Sequence, residues 1–280
     1  MKHYEREYFV SRIRSGKMII NHKGKEFTIL SPTIDDELVA NTIYIRSYND
    51  YLKDGIKTSE EMSEWLKESG FWTDEDKEKE KGFEKDIETL KVEIFKIRNN
   101  KAEVDKIRSY LRSGEEQLAK HIKNKNMYYE NTCEGISILE KNIEIIKRCS
   151  YVNGEIYHFN DIDPRELWFI YYNMVCEEKK TREIARNEPW SSLWNLRDIS
   201  GTELFVNNGR ELTIDQKNLL LWSRMYENID NSYEPPSEQV IEDEDMLDGW
   251  CIIERRKRQK EKAEAEFDSI MNDSKFSYIL

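Results

Sequence analysis

The stretch GFEKDIETLKVEIFKI, Gly82 to Ile97, decides the architecture. Phe83, Ile87, Leu90, Ile94 and Ile97 follow one another at spacings of 4, 3, 4 and 3. That period of about 3.5 lays an apolar seam along one side of a helix, with lysine and glutamate filling the other. The change to this pattern begins at Thr73. Asn99-Asn100-Lys101 offers a reversal, after which Val104, Ile107, Leu111, Leu118 and Ile122 continue an apolar face interrupted by Gly114. Thr132, Ile136, Leu139, Ile143 and Ile146 mark a third helix of similar spacing. Residues 73–150 therefore read as a charged antiparallel hairpin, coiled-coil-like, or a three-helix arm through which copies could self-associate.

On the amino-terminal side, KMIINHKGKEFTIL alternates apolar and polar residues around a Lys23 to Lys25 turn, predicting a β hairpin. Ser31-Pro32-Thr33 ends it, and Thr33 with Asp35, Asp36 and Glu37 opens a helix over about 34–53. Thr58 and Glu61 form a capping box for a short helix that Gly70 ends. These elements make up a segment 1–72. On the carboxy-terminal side, Asn153-Gly154 within YVNGEIYHF predicts a second hairpin and is taken as the domain boundary. Asp163-Pro164 then starts RELWFIYYNMVCEEKKTREIARN, apolar on much of its circumference and expected at the centre of a carboxy-terminal core. Thr213 with Gln216 is another capping box, and in the last helical stretch Gly249 is the expected breaker. The expectation is a mainly α protein with two small β hairpins. Its parts are 1–72, the arm 73–150, a Trp-rich helical domain 151–272 and a tail 273–280.

Apolar residues make up 38% of the chain and charged residues 36%, so its helices must be two-faced with wide wet surfaces. Fifty-six acids against 44 bases give a net charge of −12, which repels phosphate backbones and anionic lipid. No apolar run reaches membrane-spanning length and MKHYEREYFV has no secretory core, so a cytoplasmic protein without membrane contact is expected. Cys133, Cys149, Cys176 and Cys251 lack CxxC spacing and suit reduced thiols.

The chemical motifs fail one by one. Gly16-Lys17 would end a phosphate loop, but Ser11 replaces its first glycine and Met18 its hydroxyl residue. Asp243, Asp245 and Asp248-Gly249 resemble a calcium loop displaced by one residue, and a solvated acidic helix start explains them better. His3, His22, His121 and His158 share no i, i+4 face, and no nucleophile motif is present. No catalytic activity, metal or cofactor is implied.

Two features point to contacts instead. In EDEDMLDGWCIIERRKR, Glu242 to Arg258, five acids in seven residues are followed by large apolar side chains and then four consecutive bases. Met246, Leu247, Trp250 and Ile253 are candidate anchors for a partner, flanked by Arg255, Arg256, Lys257 and Arg258. Packing inside the fold, against the helix of Trp222, is the alternative. Trp190 and Trp194, one helical turn apart, are candidates for either core or interface. A nucleic-acid role for the basic helix is disfavoured by Glu254, Glu261, Glu264 and Glu266 on the same helix.

ARNEPWSSLWNLRD (185–198), ELTIDQKNLLLWSRMYENI (211–229) and PPSEQVIEDEDMLDGW (235–250) resemble a carboxy-terminal block in structural and morphogenesis proteins of large tailed bacteriophages. The likeness extends to EWLKESGFWTDED at 64–76. It implies a tail or baseplate-hub assembly factor, chaperone-like, acting on tape-measure or baseplate-hub proteins in the host cytoplasm. A minor virion structural protein is the alternative, with a nucleic-acid-binding module behind it.

Overall fold

The computed structural model describes residues 1–187, 190, 205, 206 and 211–276, and for 267–276 the helix alone. The chain is mainly helical with one small antiparallel sheet, and it divides into two compact units. Residues 1–65 and 128–233 form the first, 66–127 and 234–280 the second. Both are discontinuous in sequence, so the linear segments 1–72, 73–150 and 151–272 are not the units of packing.

In the first unit α1 (His3–Ser15) leads into β1 (Lys17–His22) and β2 (Lys25–Leu30), joined by a turn with Lys23 and Gly24 at positive φ. After it come α2 (Ile34–Lys53) and α3 (Ser59–Glu68), within which the chain passes to the second unit. The chain returns through α6 (Cys133–Cys149), β3 (Ser150–Val152), β4 (Glu155–Ile156), α7 (Pro164–Met174), α8 (Glu178–Ala185) and α9 (Ile214–Asp230). Between lie α4 (Asp74–Lys96) and α5 (Lys101–Lys125), and α10 (Glu238–Glu242) and α11 (Glu244–Phe276) follow.

The two hairpins are one sheet. The strand order is β1-β2-β3-β4, and β3 pairs with β2 through Thr28↔Tyr151 and Ile29↔Ser150. Asn153-Gly154 does make the expected turn, with both residues at positive φ. It lies inside a unit rather than between domains, because β2 would otherwise be left with an unpaired edge. Met18, Ile20, Phe27 and Ile29 put alternate side chains on one face, where Ile146 and Cys149 of α6 and Leu167 of α7 cover them.

Where the predicted single helix from Arg165 to Asn187 was expected, α7 and α8 are separated by Val175, Cys176 and Glu177. The cause is distant in sequence. The Cys176 N–H donates to Asp215 Oδ1 at 2.8 Å, and Arg12 Nη2 donates to Asp215 Oδ2 at 2.6 Å. Gln216 Nε2 adds a 2.7 Å bond to the carbonyl of Ile13. Asp215 and Arg12 are both buried. One carboxylate thus locks α1, α9 and the chain break together, since leaving either ion unpaired in the interior would cost several kcal/mol.

The second unit is built on the stretch around Ile94. α4 and α5 form the expected antiparallel hairpin, started at Thr73 by a capping box with Asp76 and turned at Asn100. Trp72, Phe83 and His121 gather near its open end, where Lys125 pairs with Glu80. The third helix beside them is not α6, which packs against α2, but α11 against α4. Gly249 is no breaker. It sits inside α11, where a Cβ would lie 2.2 Å from the carbonyl oxygen of Lys91. In an open helix interior, replacing glycine by alanine stabilises by about 1 kcal/mol. Gly249→Ala is expected instead to destabilise by about 1–3 kcal/mol, measured by urea unfolding, because the added methyl forces two helix backbones apart.

Candidate interaction surfaces

The charge reversal in α11 finds its partners within the second unit. Arg108 of α5 reaches Asp243 at 2.6 Å and Asp245 at 2.7 Å, and Arg112 meets both oxygens of Asp245 at 2.9 and 2.8 Å. Asp243 also caps α11 by accepting from the Met246 N–H, and Lys91 of α4 pairs with Asp248 at 2.8 Å. At the other end Arg255 and Arg256 both hold Glu88 of α4, at 2.5 and 2.9 Å. Going up α4 from Glu88 to Lys91 runs down α11 from Arg255 to Asp248. The two helices are therefore antiparallel, and the acid-apolar-base order fits only that direction. Reversed, Asp248 would face Glu88, like against like.

The acidic segment is thus not a solvated helix start but one half of an ionic clasp. Its halves are unequal. Asp245 exposes only 7% of its side chain between two guanidinium groups, whereas Glu88 stands 37% exposed. Surface pairs contribute at most about 1 kcal/mol, while removing one member of a buried pair costs about 3–5. Hydrogen bonding from Arg255, with Arg256 beside it, holds Glu88 below the usual glutamate range.

The clasp decides the fate of the candidate anchors. Met246, Leu247 and Trp250 are buried within the second unit, and Ile253 is half-buried. These side chains are core of the second unit, where α11 packs on α4, whereas the helix of Trp222 belongs to the first unit, with the Arg182 guanidinium over its ring. A stripe of 3.5 spacing must be covered, and the hairpin already covers it. Lys257 and Arg258 are exposed and make no ion pair among the described residues, whereas Lys260 and Lys262 pair weakly with Glu264 and Glu266. Trp190 is buried, its ring 5.7 Å from that of Phe205. Trp194 lies outside the described residues.

The structure brings forward a different surface. On α7, Leu167 is fully buried and Tyr171 faces the same core, while Phe169 is 56% and Tyr172 61% exposed. Trp168 itself packs against that core, its ring stacked on Tyr171 and tilted against the exposed Tyr172, at 5.9 Å to each. The signal was present in PRELWFIYYNM: a helix apolar on much of its circumference, only 11 residues long, carries more aromatic surface than one neighbour can bury. The start of this helix is anchored by Glu166, which takes Lys23 at 2.6 Å and His22 at 2.8 Å from the β1–β2 turn. No helix among the described residues is long and apolar enough to cross a membrane. Compared with protein-family models, curated proteins and solved structures, the chain matches none.

Trp250→Ala is expected to lose about 3–5 kcal/mol in denaturant unfolding, the cost of an emptied core site. Asp245→Ala is expected to lose about 3 kcal/mol, whereas Lys257→Ala changes nothing measurable. The Glu88 contribution is complete above the ordinary glutamate value of about 4.3 and is lost as pH falls through the lower folded value. A pH series of unfolding midpoints should therefore drop more steeply on the acid side for the native chain than for Glu88→Gln.

Proposed function

We propose that the protein is a non-catalytic assembly factor acting through protein–protein contacts. In its most specific form it is a chaperone-like protein that handles tape-measure or baseplate-hub components of a large tailed bacteriophage in the host cytoplasm. The phage assignment rests on the resemblance carried by residues 185–198, 211–229 and 235–250. The contact-based mechanism rests on one observation, the exposed rings of Phe169 and Tyr172 on a helix whose Leu167, Trp168 and Tyr171 pack into the core. Large aromatic rings supply contact area at little conformational cost, which is why they dominate the energetic centres of protein interfaces. A net charge of −12 favours this role further by keeping the factor soluble beside sticky helical clients and away from nucleic acid.

The test is affinity purification of the tagged chain from the host during particle production, with mass spectrometry of both the eluate and the finished particles. Tape-measure or hub proteins are expected in the eluate and this chain is expected to be absent from particles. The double substitution Phe169→Ser with Tyr172→Ser should leave the melting temperature unchanged and reduce client recovery at least about tenfold, the equivalent of 1.4 kcal/mol. Stoichiometric presence in particles would make it a minor virion structural protein instead. An eluate dominated by nucleic acid would overturn both and move attention to Lys257 and Arg258.

A further inference from the structure

The turn between β3 and β4 sets up a reaction of its own. Asn153 and Gly154 form it by themselves, since Val152 pairs with Glu155 directly across it. Both residues hold positive φ, 55° and 86°. A two-residue turn of this hand matches the twist of the strands it joins and needs residues that tolerate that conformation, which asparagine followed by glycine does well. The pair chosen for backbone geometry also places a side-chain amide next to the least shielded kind of backbone nitrogen, that of glycine.

Nothing in the fold restrains either group. Asn153 and Gly154 are exposed, and apart from the chain neighbours no atom lies within 4 Å of where a Gly154 Cβ would be. Among the described residues, neither the Asn153 side chain nor the Gly154 N–H takes part in a hydrogen bond. The hairpin that holds them is small. β3 and β4 meet through Tyr151↔Ile156 and Val152↔Glu155, and Glu155 and Ile156 are both exposed at the edge of the sheet. Short edge pairings of this kind are the first to open, and opening frees the Asn153 backbone to swing its side chain against the Gly154 nitrogen.

We propose that Asn153 is a site of spontaneous deamidation, so that the β3–β4 turn records the age of the chain. The Gly154 nitrogen gives up its proton and bonds to the Asn153 side-chain carbonyl carbon. The bond from that carbon to Nδ2 breaks, the nitrogen leaves as ammonia, and a five-membered succinimide closes. Solvent water then opens the ring at one of its two carbonyls. The product is aspartate or, where the main chain is rerouted through the side-chain carbons, isoaspartate. Either adds one negative charge beside Glu155, and isoaspartate lengthens the main chain by one carbon, which a two-residue turn cannot absorb. The strand pairing next to it is lost in that form, together with the bond from the Tyr157 N–H to the Ser150 carbonyl. The site is separate from Phe169 and Tyr172 and does not rest on the assembly role.

The experiment ages the full chain in neutral buffer at physiological temperature beside a synthetic peptide of residues 150–159. Digests are read by mass spectrometry, with enzymatic methylation to tell isoaspartate from aspartate. The other Asn-Gly pair, Asn208-Gly209, falls in a different tryptic peptide and is scored by itself. The folded chain is expected to convert at position 153 within about tenfold of the peptide's rate, because the edge hairpin opens readily. Asn153→Gly keeps an accepted residue pair for this turn, so it should lose the modification with its melting temperature nearly unchanged. The isoaspartate form, separated by anion exchange, should melt below the fresh chain. A folded chain that keeps its amide at position 153 after the peptide is fully converted would overturn the proposal, since the turn would then be protecting the pair. An isoaspartate form that melts with the fresh chain would overturn the claim that the turn is broken.

Discussion

Two nearly buried carboxylates hold this protein together, Asp215 in the first unit and Asp245 in the second. Each unit contains an ion pair of low exposure, and removing one member of such a pair would leave the other charge buried and uncompensated. Asp215 takes Arg12 from α1 and the backbone of Cys176, which fixes α1 and α9 and also ends α7 where it ends. Asp245 takes Arg108 and Arg112 from α5, which fixes how far along the hairpin α11 must lie. Apolar contact tolerates a slip of one helical turn, and a buried charge with a single set of partners does not. Register in both units is thus electrostatic, while most of the energy is not.

That division explains why the most conspicuous stretch of the chain is structural. Acids, then Met246, Leu247 and Trp250, then bases, describe a helix that has to enter a two-helix groove in one direction and at one height. Gly249 completes the specification by allowing the backbone of α11 to touch that of α4. The aromatic residues of α7 carry no such instruction. Phe169 and Tyr172 lie on the exposed side of a helix whose other side, with Leu167, Trp168 and Tyr171, is packed. Exposed apolar side chains are found where the fold has stopped using its own, and Phe169 and Tyr172 of α7 are of that kind.

Much of the local structure was legible because its causes are local. Thr33 and Thr213 cap their helices through side chains bonded three residues on, and the turns at Lys23-Gly24 and Asn153-Gly154 depend on conformations that neighbouring residues permit. The seam from Phe83 to Ile97 likewise announced its hairpin. What escaped was set from a distance. α1 carries no strong periodicity and is held through Arg12 and Ile13 by residues 203 positions away. The break after Met174 depends on Asp215, and the joining of two hairpins into one sheet depends on β2 meeting β3 across more than a hundred residues.

By itself, then, the sequence determined a mainly α protein, the position of most helices and which face of each is apolar. The tertiary structure decided which faces meet. Stripes of nearly the same period on α4, α6 and α11 are interchangeable as far as hydrophobic burial is concerned, since apolar surface has no direction. The choice fell to features that do have direction: the missing side chain at Gly249, the paired charges of Asp245 with Arg108 and Arg112, and the backbone pairing of Ile29 with Ser150. For the same physical reason, periodicity located candidate surfaces without separating Trp250, which the fold buries, from Phe169 and Tyr172, which it leaves in water.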